Sequence, residues 1–338
     1  MPIHTVLGPI AASDLGQTSI HEHVLSDLRL WAKPAQEPRP VGVEMGPELR
    51  AYLAWNALSI PENLVLDDID VAVAELATIT SAGGSAVVEL TLGGMGRRLT
   101  DLIEVSRRSG VHICVGGGTY VEETLTDEVR ALSVDGLTER FLSELRDGID
   151  GTGIRPALLG EIGTSWPITE VEWRAVRAAG RAGSLTGTTV YTHQSFRGAG
   201  GVPVLEVLLD EGMPADRVII GHLDELWDKN YHRDIAQSGA MLAYDTFGSD
   251  FYYGSTAMRN PTDAERLAMV EWLLSEGYGS QLVIGADLWT QANLHRNGGN
   301  GYDHLFRRIG PAISALAGDE AMAEQILIHN PRRLLERP

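Results

Sequence analysis

A chain of 338 residues with 43% hydrophobic and 22% charged residues has the composition of a soluble globular protein, long enough for one large α/β domain or two smaller ones. Its 27 basic and 46 acidic residues give a net charge of -19, which argues against nucleic-acid and anionic-membrane partners. Cys114, the only cysteine, excludes a disulfide framework. Signal-peptide and membrane-span patterns are absent from the sequence, so we expect a cytoplasmic protein.

The first predicted strand covers roughly residues 17–25 and carries a histidine pair, His21 and His23. Alternate residues of a strand point to the same side. Both imidazoles would therefore project together and could clamp a divalent metal ion. The pair alone is also compatible with a solvated turn before a helix, so partners on later strands must decide between the two interpretations.

A long connection follows over residues 26–67, with five prolines and one helical stretch, Glu48 to Leu58. Connections of this length are usually lids or binding loops. We predict a lid-like insertion, with a structural flap as the alternative. Asp68 is predicted to begin the next helix, which ends at Gly83 and Gly84.

Short apolar runs then alternate with amphipathic stretches, a pattern typical of buried parallel strands separated by helices. With the first strand they make eight β/α units, which favours an α/β fold of the (β/α)8 TIM barrel type over an open doubly wound sheet. We assign one domain over residues 1–338, with residues 318–338 as a C-terminal helical appendage. The further predicted strands are Ser85–Leu92, Val111–Gly116, Ile154–Glu161, Thr188–His193, Val218–His222, Met241–Thr246 and Leu282–Asp287.

Polar residues recur at the C-terminal ends of these strands, where (β/α)8 barrels carry their chemistry. The recurrence follows the length of a β/α unit, which independent surface histidines would not be expected to do. Nitrogen and oxygen ligands without a thiolate suit two borderline divalent ions that share a carboxylate and a water. The six residues are His21, His23, Glu161, His193, His222 and Asp287.

This set predicts a binuclear metal centre. His21, His23 and Asp287 would hold one ion and His193 and His222 the other, with Glu161 spanning both. Two such ions, about 3.5–4 Å apart, lower the pKa of a bridging water toward ~7 and polarise a substrate C=O or P=O. Asp287 is the predicted proton acceptor, with His222 beside it in the catalytic pair. We expect zinc, with manganese or cobalt as alternatives.

The chain resembles the phosphotriesterase-like family of the amidohydrolase superfamily nearly from end to end. The resemblance implies a binuclear metal hydrolase on a distorted, amidohydrolase-type barrel with the ligands assigned above, and it permits a homodimer. The stretches that carry it are Thr5–Pro9, His21–His23, Gly160–Ser165, Tyr244–Gly248, Gly298–His304 and Asn330–Leu334.

One position departs from many members of that family, which bridge the metals with a carboxylated lysine on strand 4. Here the position is Glu161, and the only two lysines of the chain, Lys33 and Lys229, do not end strand 4. A carbamate bridge is therefore impossible. The chain looks like the Glu-bridged subgroup, which includes the phosphotriesterase homology and phosphotriesterase-related proteins. This disfavours organophosphate hydrolysis.

Candidate substrate contacts lie in the loops after the strands. Tyr120 could hydrogen-bond the nucleophile or a leaving group, Arg197 could pair with an anionic substrate group, and Arg97 could reach the barrel mouth from a glycine-rich turn. Each of these residues has an alternative in plain packing or local pairing. The residues that could form the pocket wall are Trp31, Phe247, Trp289 and His295.

The leading functional hypothesis is a hydrolase that acts on a small molecule carrying a carboxylic ester, in the first place a lactone, by attack of a metal-bridging hydroxide. Amide hydrolysis is the nearest alternative and phosphoester hydrolysis the third. The metal ligands alone do not distinguish ester, amide and phosphoester hydrolysis, because attack at carbon and attack at phosphorus need similar electrostatic stabilisation by the metal ions. Alternatives of other kinds are a small-molecule binding protein with an idle site and a single-metal deaminase.

Overall fold

The computed structural model describes residues 2–195, 199–254 and 258–337. Within these residues the centre is an eight-stranded parallel sheet whose strands are neighbours in chain order. The strands are β1 (Thr18–Glu22), β2 (Ala86–Glu89), β3 (His112–Gly117), β4 (Leu158–Thr164), β5 (Val190–Gln194), β6 (Val218–Ile220), β7 (Met241–Tyr244) and β8 (Leu282–Ile284).

The sheet closes through backbone contacts just beyond β8. The Asp287 N–H donates to the His21 carbonyl at 3.1 Å, and the His23 N–H donates to the Leu288 carbonyl at 3.2 Å. These two bonds bring the last strand beside the first. The predicted (β/α)8 barrel is therefore confirmed over the open sheet.

Helices follow the strands around the outside of the barrel. They are α1 (Ile69–Ser81), α2 (Leu99–Ser109), α3 (Val134–Asp147), α4 (Glu170–Thr186), α5 (Gly201–Asp210), α6 (Lys229–Gln237), α7 (Asp263–Ser275) and α8 (Gly310–Ala317). Short α-helical segments are Arg50–Asn56, Asp127–Arg130, Glu320–Glu324 and Asn330–Leu335, and π-helical turns are Leu305–Ile309 and Gln325–His329. Among the described helices, none is both long and apolar enough to cross a membrane.

Side-chain caps fix where several helices begin. The Asp68 carboxylate accepts from the backbone N–H groups of Asp70 and Val71, which starts α1 at the predicted place. Thr169 and Glu172 form a capping box at the start of α4. Such caps satisfy N–H groups that have no partner inside the helix, so each β/α unit begins its helix at a defined residue.

The fourth strand begins later than its apolar run predicts. The carbonyl of Ile154 accepts the N–H of Ile149 at 2.9 Å, which holds residues 149–154 in a turn after α3. The strand then runs three residues past Glu161, to Thr164. The apolar run predicts too early a start for the strand because Ile154 is buried in the core without being part of the sheet.

Apolar side chains of the strands divide between two cores because alternate residues face opposite sides of a sheet. One core fills the barrel interior and includes Ile20, Val88, Cys114 and Ile219. The other lies between the sheet and the helices and includes Val87. Burial raises the pKa of the Cys114 thiol to about 12, as suits a structural cysteine.

The C-terminal segment packs against the end of the barrel opposite to the catalytic ends of the strands. Asn330 donates through its side-chain amide to the carbonyl of Leu282, at the start of β8, at 2.6 Å. The Thr189 hydroxyl donates to the Leu334 carbonyl at 2.6 Å, beside the start of β5. At the chain's other end, the hairpin of Ile3–Thr5 and Gly8–Ile10 contributes Ile3 to the interior core.

Candidate metal centre

The six predicted ligands lie within five strands or just beyond their C-terminal ends. His21 and His193 lie near the ends of β1 and β5 and Glu161 in the middle of β4, whereas His23, His222 and Asp287 lie one, two and three residues beyond the ends of β1, β6 and β8. Parallel strands place these ends on one face of the barrel. Residues far apart in the chain therefore meet there.

One group of ligand atoms surrounds Glu161 Oε1. The Nε2 atoms of His21 and His23 each lie 3.6 Å from this oxygen. Asp287 Oδ1 lies 3.5 Å from His21 Nε2 and 3.2 Å from His23 Nε2. Two imidazoles and two carboxylates therefore face a common point.

A second group surrounds the other oxygen of the same carboxylate. Glu161 Oε2 lies 3.1 Å from His193 Nδ1 and 3.5 Å from His222 Nε2, and these two nitrogens lie 2.9 Å from each other. The Glu161 side chain is 1% exposed. Its two oxygens thus point in different directions, each toward a separate set of imidazoles.

Asp245, directly after β7, orients one imidazole of each group. Its Oδ2 lies 3.0 Å from His21 Nδ1, and its Oδ1 lies 3.0 Å from His222 Nδ1 and also accepts the backbone N–H of His222 at 3.0 Å. The hydroxyl of Tyr191 donates to Oδ2 as well. Because the Nδ1 atoms are held in this way, the Nε2 atoms point toward Glu161.

The donor set suits divalent cations. Sets of His, Asp and Glu ligand atoms within 4.8 Å of one another include His21, His23 and Asp287 as one group and Glu161, His193 and His222 as another. His21 Nε2 is buried and has no hydrogen-bond partner among the described residues. Buried polar atoms normally have a partner, and a metal ion between the groups would supply it.

Opposite charges at the site shift the pKa values of its members. Burial alone would lower the pKa of His21, but the charges of Glu161 and Asp287 raise it to about 10. Burial likewise disfavours the charged form of Glu161, yet the neighbouring imidazoles hold its pKa well below the usual range. The carboxylates therefore remain ionised and available to a cation.

A cavity of about 700 Å³ opens above the cluster. Tyr120, Trp31 and Trp289 line it, as predicted for substrate contacts. The Tyr120 hydroxyl lies 3.2 Å from His193 Nε2. The insertion after β1 forms part of the wall, since Ser26–Asp27 and Val65–Leu66 pair as antiparallel strands at its base and Leu28 and Leu58 reach the cavity. Whether residues 26–67 act as a lid or as a structural flap stays a prediction.

Three other predicted contacts are absent from the described cavity lining. Arg97 forms an ion pair of 2.8 Å with Asp150. His295 Nε2 lies 2.6 Å from an oxygen of Asp303, and Phe247 is buried in the core between sheet and helices. Contacts outside the cavity therefore hold these side chains away from it. Arg197, the fourth, lies outside the described residues.

Sequence reasoning did not assign roles to two residues that shape the site. In the sequence, Asp245 belongs to the stretch Tyr244–Gly248, and its position at the end of a strand is the feature that could have indicated a role in the site. Asp224 accepts the backbone N–H of Asp245 at 3.2 Å and pairs with the fully buried Arg266 at 2.8 Å. This buried pair fixes the backbone that carries Asp245, a role that only the tertiary structure reveals.

Comparison with known proteins places the chain among metal-dependent hydrolases. A family model described as "Phosphotriesterase family" matches residues 1–335. N-acetyltaurine hydrolase of Danio rerio is 33% identical over 340 residues, with 98% of this chain and 97% of that protein covered. A resiniferatoxin-binding protein from Rhodobacter sphaeroides superposes with a TM-score of 0.94 at 32% identity, covering 99% and 95% of the two chains. The phosphotriesterase homology protein from Escherichia coli, with phosphate in its active site, has a TM-score of 0.79 at 25% identity, covering 96% and 99%.

Proposed function

Because the chain belongs to the phosphotriesterase family, we propose that this metal-dependent hydrolase cleaves the amide bond of a small N-acylated amine. The observation that carries the proposal is the position of Glu161, whose two oxygens face two separate sets of imidazoles. The choice of an amide over a lactone is supported by the relative named N-acetyltaurine hydrolase, 33% identical over 98% of this chain.

The proposed ligands are His21, His23 and Asp287 for one ion and His193 and His222 for the other, with Glu161 shared. Bound divalent ions, for which we propose zinc, would supply a hydroxide nucleophile and polarise the scissile carbonyl. The protein would contribute ligand orientation through Asp245 and a partly closed cavity that limits access of bulk water.

Asp287 is proposed to move the proton. Burial would raise its pKa, but the neighbouring imidazoles, His21 first, keep it below the usual range, so the carboxylate is ionised at neutral pH. Its side chain is 12% exposed and lies in the cavity lining. It would accept the proton that the attacking water loses and deliver it to the amine nitrogen as the C–N bond breaks.

Tyr120 is proposed to bind the substrate as a hydrogen-bond donor. Burial and the nearby charge of Glu161 raise the pKa of its phenol well above the usual value, so the hydroxyl keeps its proton at neutral pH. A donor beside the reacting carbonyl would stabilise the negative charge that develops on the oxygen during attack. Tyr120→Phe should therefore lower kcat more than it raises KM.

A substrate panel tests the proposal. N-acetyltaurine, N-acetyl amino acids, sugar and fatty-acyl lactones and a phosphotriester would be assayed with protein loaded with zinc, manganese or cobalt. We expect kcat/KM to be highest for an amide and expect Asp287→Asn to remove that activity, which excludes a contaminant. Hydrolysis of lactones alone would contradict the proposal and restore the first hypothesis from the sequence.

The same panel addresses a binding protein without turnover, an alternative that the name of the Rhodobacter relative keeps relevant. Tight binding of a panel compound to the metal-loaded protein, with no product in excess metal, would favour it. The single-domain division, the homodimer and the cytoplasmic location stay predictions.

A further inference from the structure

Lys33 lies in the wall of the cavity, in the insertion after β1. Its backbone is fixed, because the Lys33 N–H donates to the Leu58 carbonyl at 2.9 Å. Its neighbours in this wall, Leu28, Trp31 and Leu58, are apolar. The chain has only one other lysine, Lys229. Lys33 is therefore a solvent-exposed cation beside apolar residues of the cavity wall.

Lys33 is solvent-exposed, and its ammonium group has neither a hydrogen-bond nor an ion-pair partner among the described residues. Arg130, the other described cation of the lining, is already engaged. Its Nε and Nη2 donate to the Glu122 carbonyl at 3.2 and 2.9 Å, and its Nη1 lies 3.9 Å from a carboxylate oxygen of Asp127. Lys33 is therefore the described lining cation whose charge is available to a ligand.

Two carboxylates of the lining, Glu172 and Glu225, already have protein partners. Glu172 accepts from the backbone N–H groups of Glu122, Ser165 and Thr169. Burial raises the pKa of Glu225 to about 7, and the Tyr253 hydroxyl donates to it at 2.7 Å. Glu122 and Glu123 add further negative charge to the lining, and Lys33 is a cationic point in it. A ligand with an anionic end is therefore favoured with that end toward Lys33 and away from these carboxylates.

We propose that Lys33 binds the anionic group of the substrate, so that the substrate class is an N-acylated amino sulfonate or amino carboxylate. The inference rests on the proposed amide hydrolysis. The scissile amide would lie at the metal ligands on the floor of the cavity, and the acid on the amine half would extend toward the insertion. An ammonium provides a charge-assisted hydrogen bond to either acid.

Three substrates and three variants test the role of Lys33. N-acetyltaurine presents a sulfonate, N-acetyl-β-alanine a carboxylate, and N-acetylethanolamine a neutral group of similar length. In Lys33→Met, we expect KM to rise about tenfold for both acids, the size of one charge-assisted hydrogen bond at a partly exposed site. KM for the neutral amide and kcat for all three should change little. Lys33→Arg should recover most of the loss.

Lys229→Met is the matched control. The Lys229 ammonium lies 5.2 Å from the ring centre of Trp272, and the residue is absent from the described cavity lining. Removing this lysine changes the net charge of the protein as Lys33→Met does. We expect it to leave all three KM values unchanged, which separates a local contact from long-range attraction.

Several outcomes would overturn the inference. An equal rise in KM for acids and neutral amide would show a structural effect, and an unchanged KM for the acids would place their binding elsewhere. If wild type hydrolyses none of the amides, the proposed function fails. Calorimetry then still tests whether Lys33 binds the anionic group, by comparing the binding of N-acetyltaurine and N-acetylethanolamine to metal-loaded wild type and Lys33→Met.

Discussion

His21 and Asp245 are joined by a 3.0 Å contact between Nδ1 and Oδ2, deep in the barrel where both side chains are fully buried. The same carboxylate holds His222 through its other oxygen. One residue therefore orients an imidazole in each of the two candidate ligand groups. Through Asp245 the two halves of the centre share a common support.

Asp245→Asn should weaken metal binding at both positions. His21 and His222 contact different oxygens of Asp245, and asparagine replaces one of these oxygens with an NH2 group, so one imidazole loses its acceptor and the negative charge is lost for both. We expect the affinity for divalent ions to fall about 10–100-fold, a usual cost of losing such a support. Competition with a chromophoric chelator would measure the affinity of each ion.

Asp303→Asn provides the control for that variant. Asp303 also pairs with a histidine, His295, at 2.6 Å, and its other described ion-pair partner is Arg307. This variant should leave metal affinity unchanged. Equal effects of the two substitutions, or none from Asp245→Asn, would argue against a shared support.

Glu161→Gln should reduce the number of bound ions. Glutamine keeps the length of the side chain but removes its charge and one acceptor oxygen, so it cannot be shared between the two groups in the same way. We expect wild type to bind two ions per chain and Glu161→Gln one or fewer, as measured by elemental analysis after gel filtration. One ion per chain in wild type would favour a single-metal enzyme.

Asp287→Asn should remove turnover without unfolding the protein. The amide cannot accept the proton, and such proton transfers contribute about 10²–10⁴-fold to rates. We expect kcat to fall by that factor while circular dichroism and the melting temperature stay close to wild type. An unchanged kcat would refute the role as proton acceptor.

His232 should make the protein less stable in mild acid. Burial lowers its pKa from 6.5 to about 4, so between these values the unfolded chain binds a proton that the folded protein does not. The free energy of unfolding should therefore decrease as the pH falls from 6.5 to 4, by on the order of 3 kcal/mol for this group.

The variant His232→Gln isolates that contribution. Urea unfolding at several pH values should give a shallower dependence between pH 4 and 6.5 than in wild type, because the titrating group is gone. His329→Gln is the matched control, because it removes a histidine that is exposed. Parallel curves for wild type and His232→Gln would contradict the assignment.

Much of the architecture could be predicted from local patterns. Apolar runs of strand length, separated by amphipathic stretches with recognisable caps such as Asp68, specify β/α units whatever lies around them. Parallel strands then place their ends on one face, so polar residues such as Glu161 and His193 could be expected to meet there. That expectation needed only the regular spacing of the β/α units along the sequence.

The positions of individual loop side chains depended instead on how the loops pack against each other and against the barrel. The sequence predicts cavity positions for Arg97, Phe247 and His295. An ion pair with Asp150 holds Arg97 elsewhere, core packing holds Phe247, and a contact with Asp303 holds His295. The position of Lys33 in the cavity lining, without a partner among the residues that the structure describes, is equally a product of how the insertion packs over the barrel.

By itself, the sequence determined the barrel, the order of its strands and which residues stand at the catalytic ends, because these follow from periodicity and from the geometry of parallel strands. Only the tertiary structure decided that Asp245 links His21 to His222 and that Lys33 faces the cavity. Side-chain partners of this kind are set by packing between segments distant in the chain, and periodicity carries no information about them.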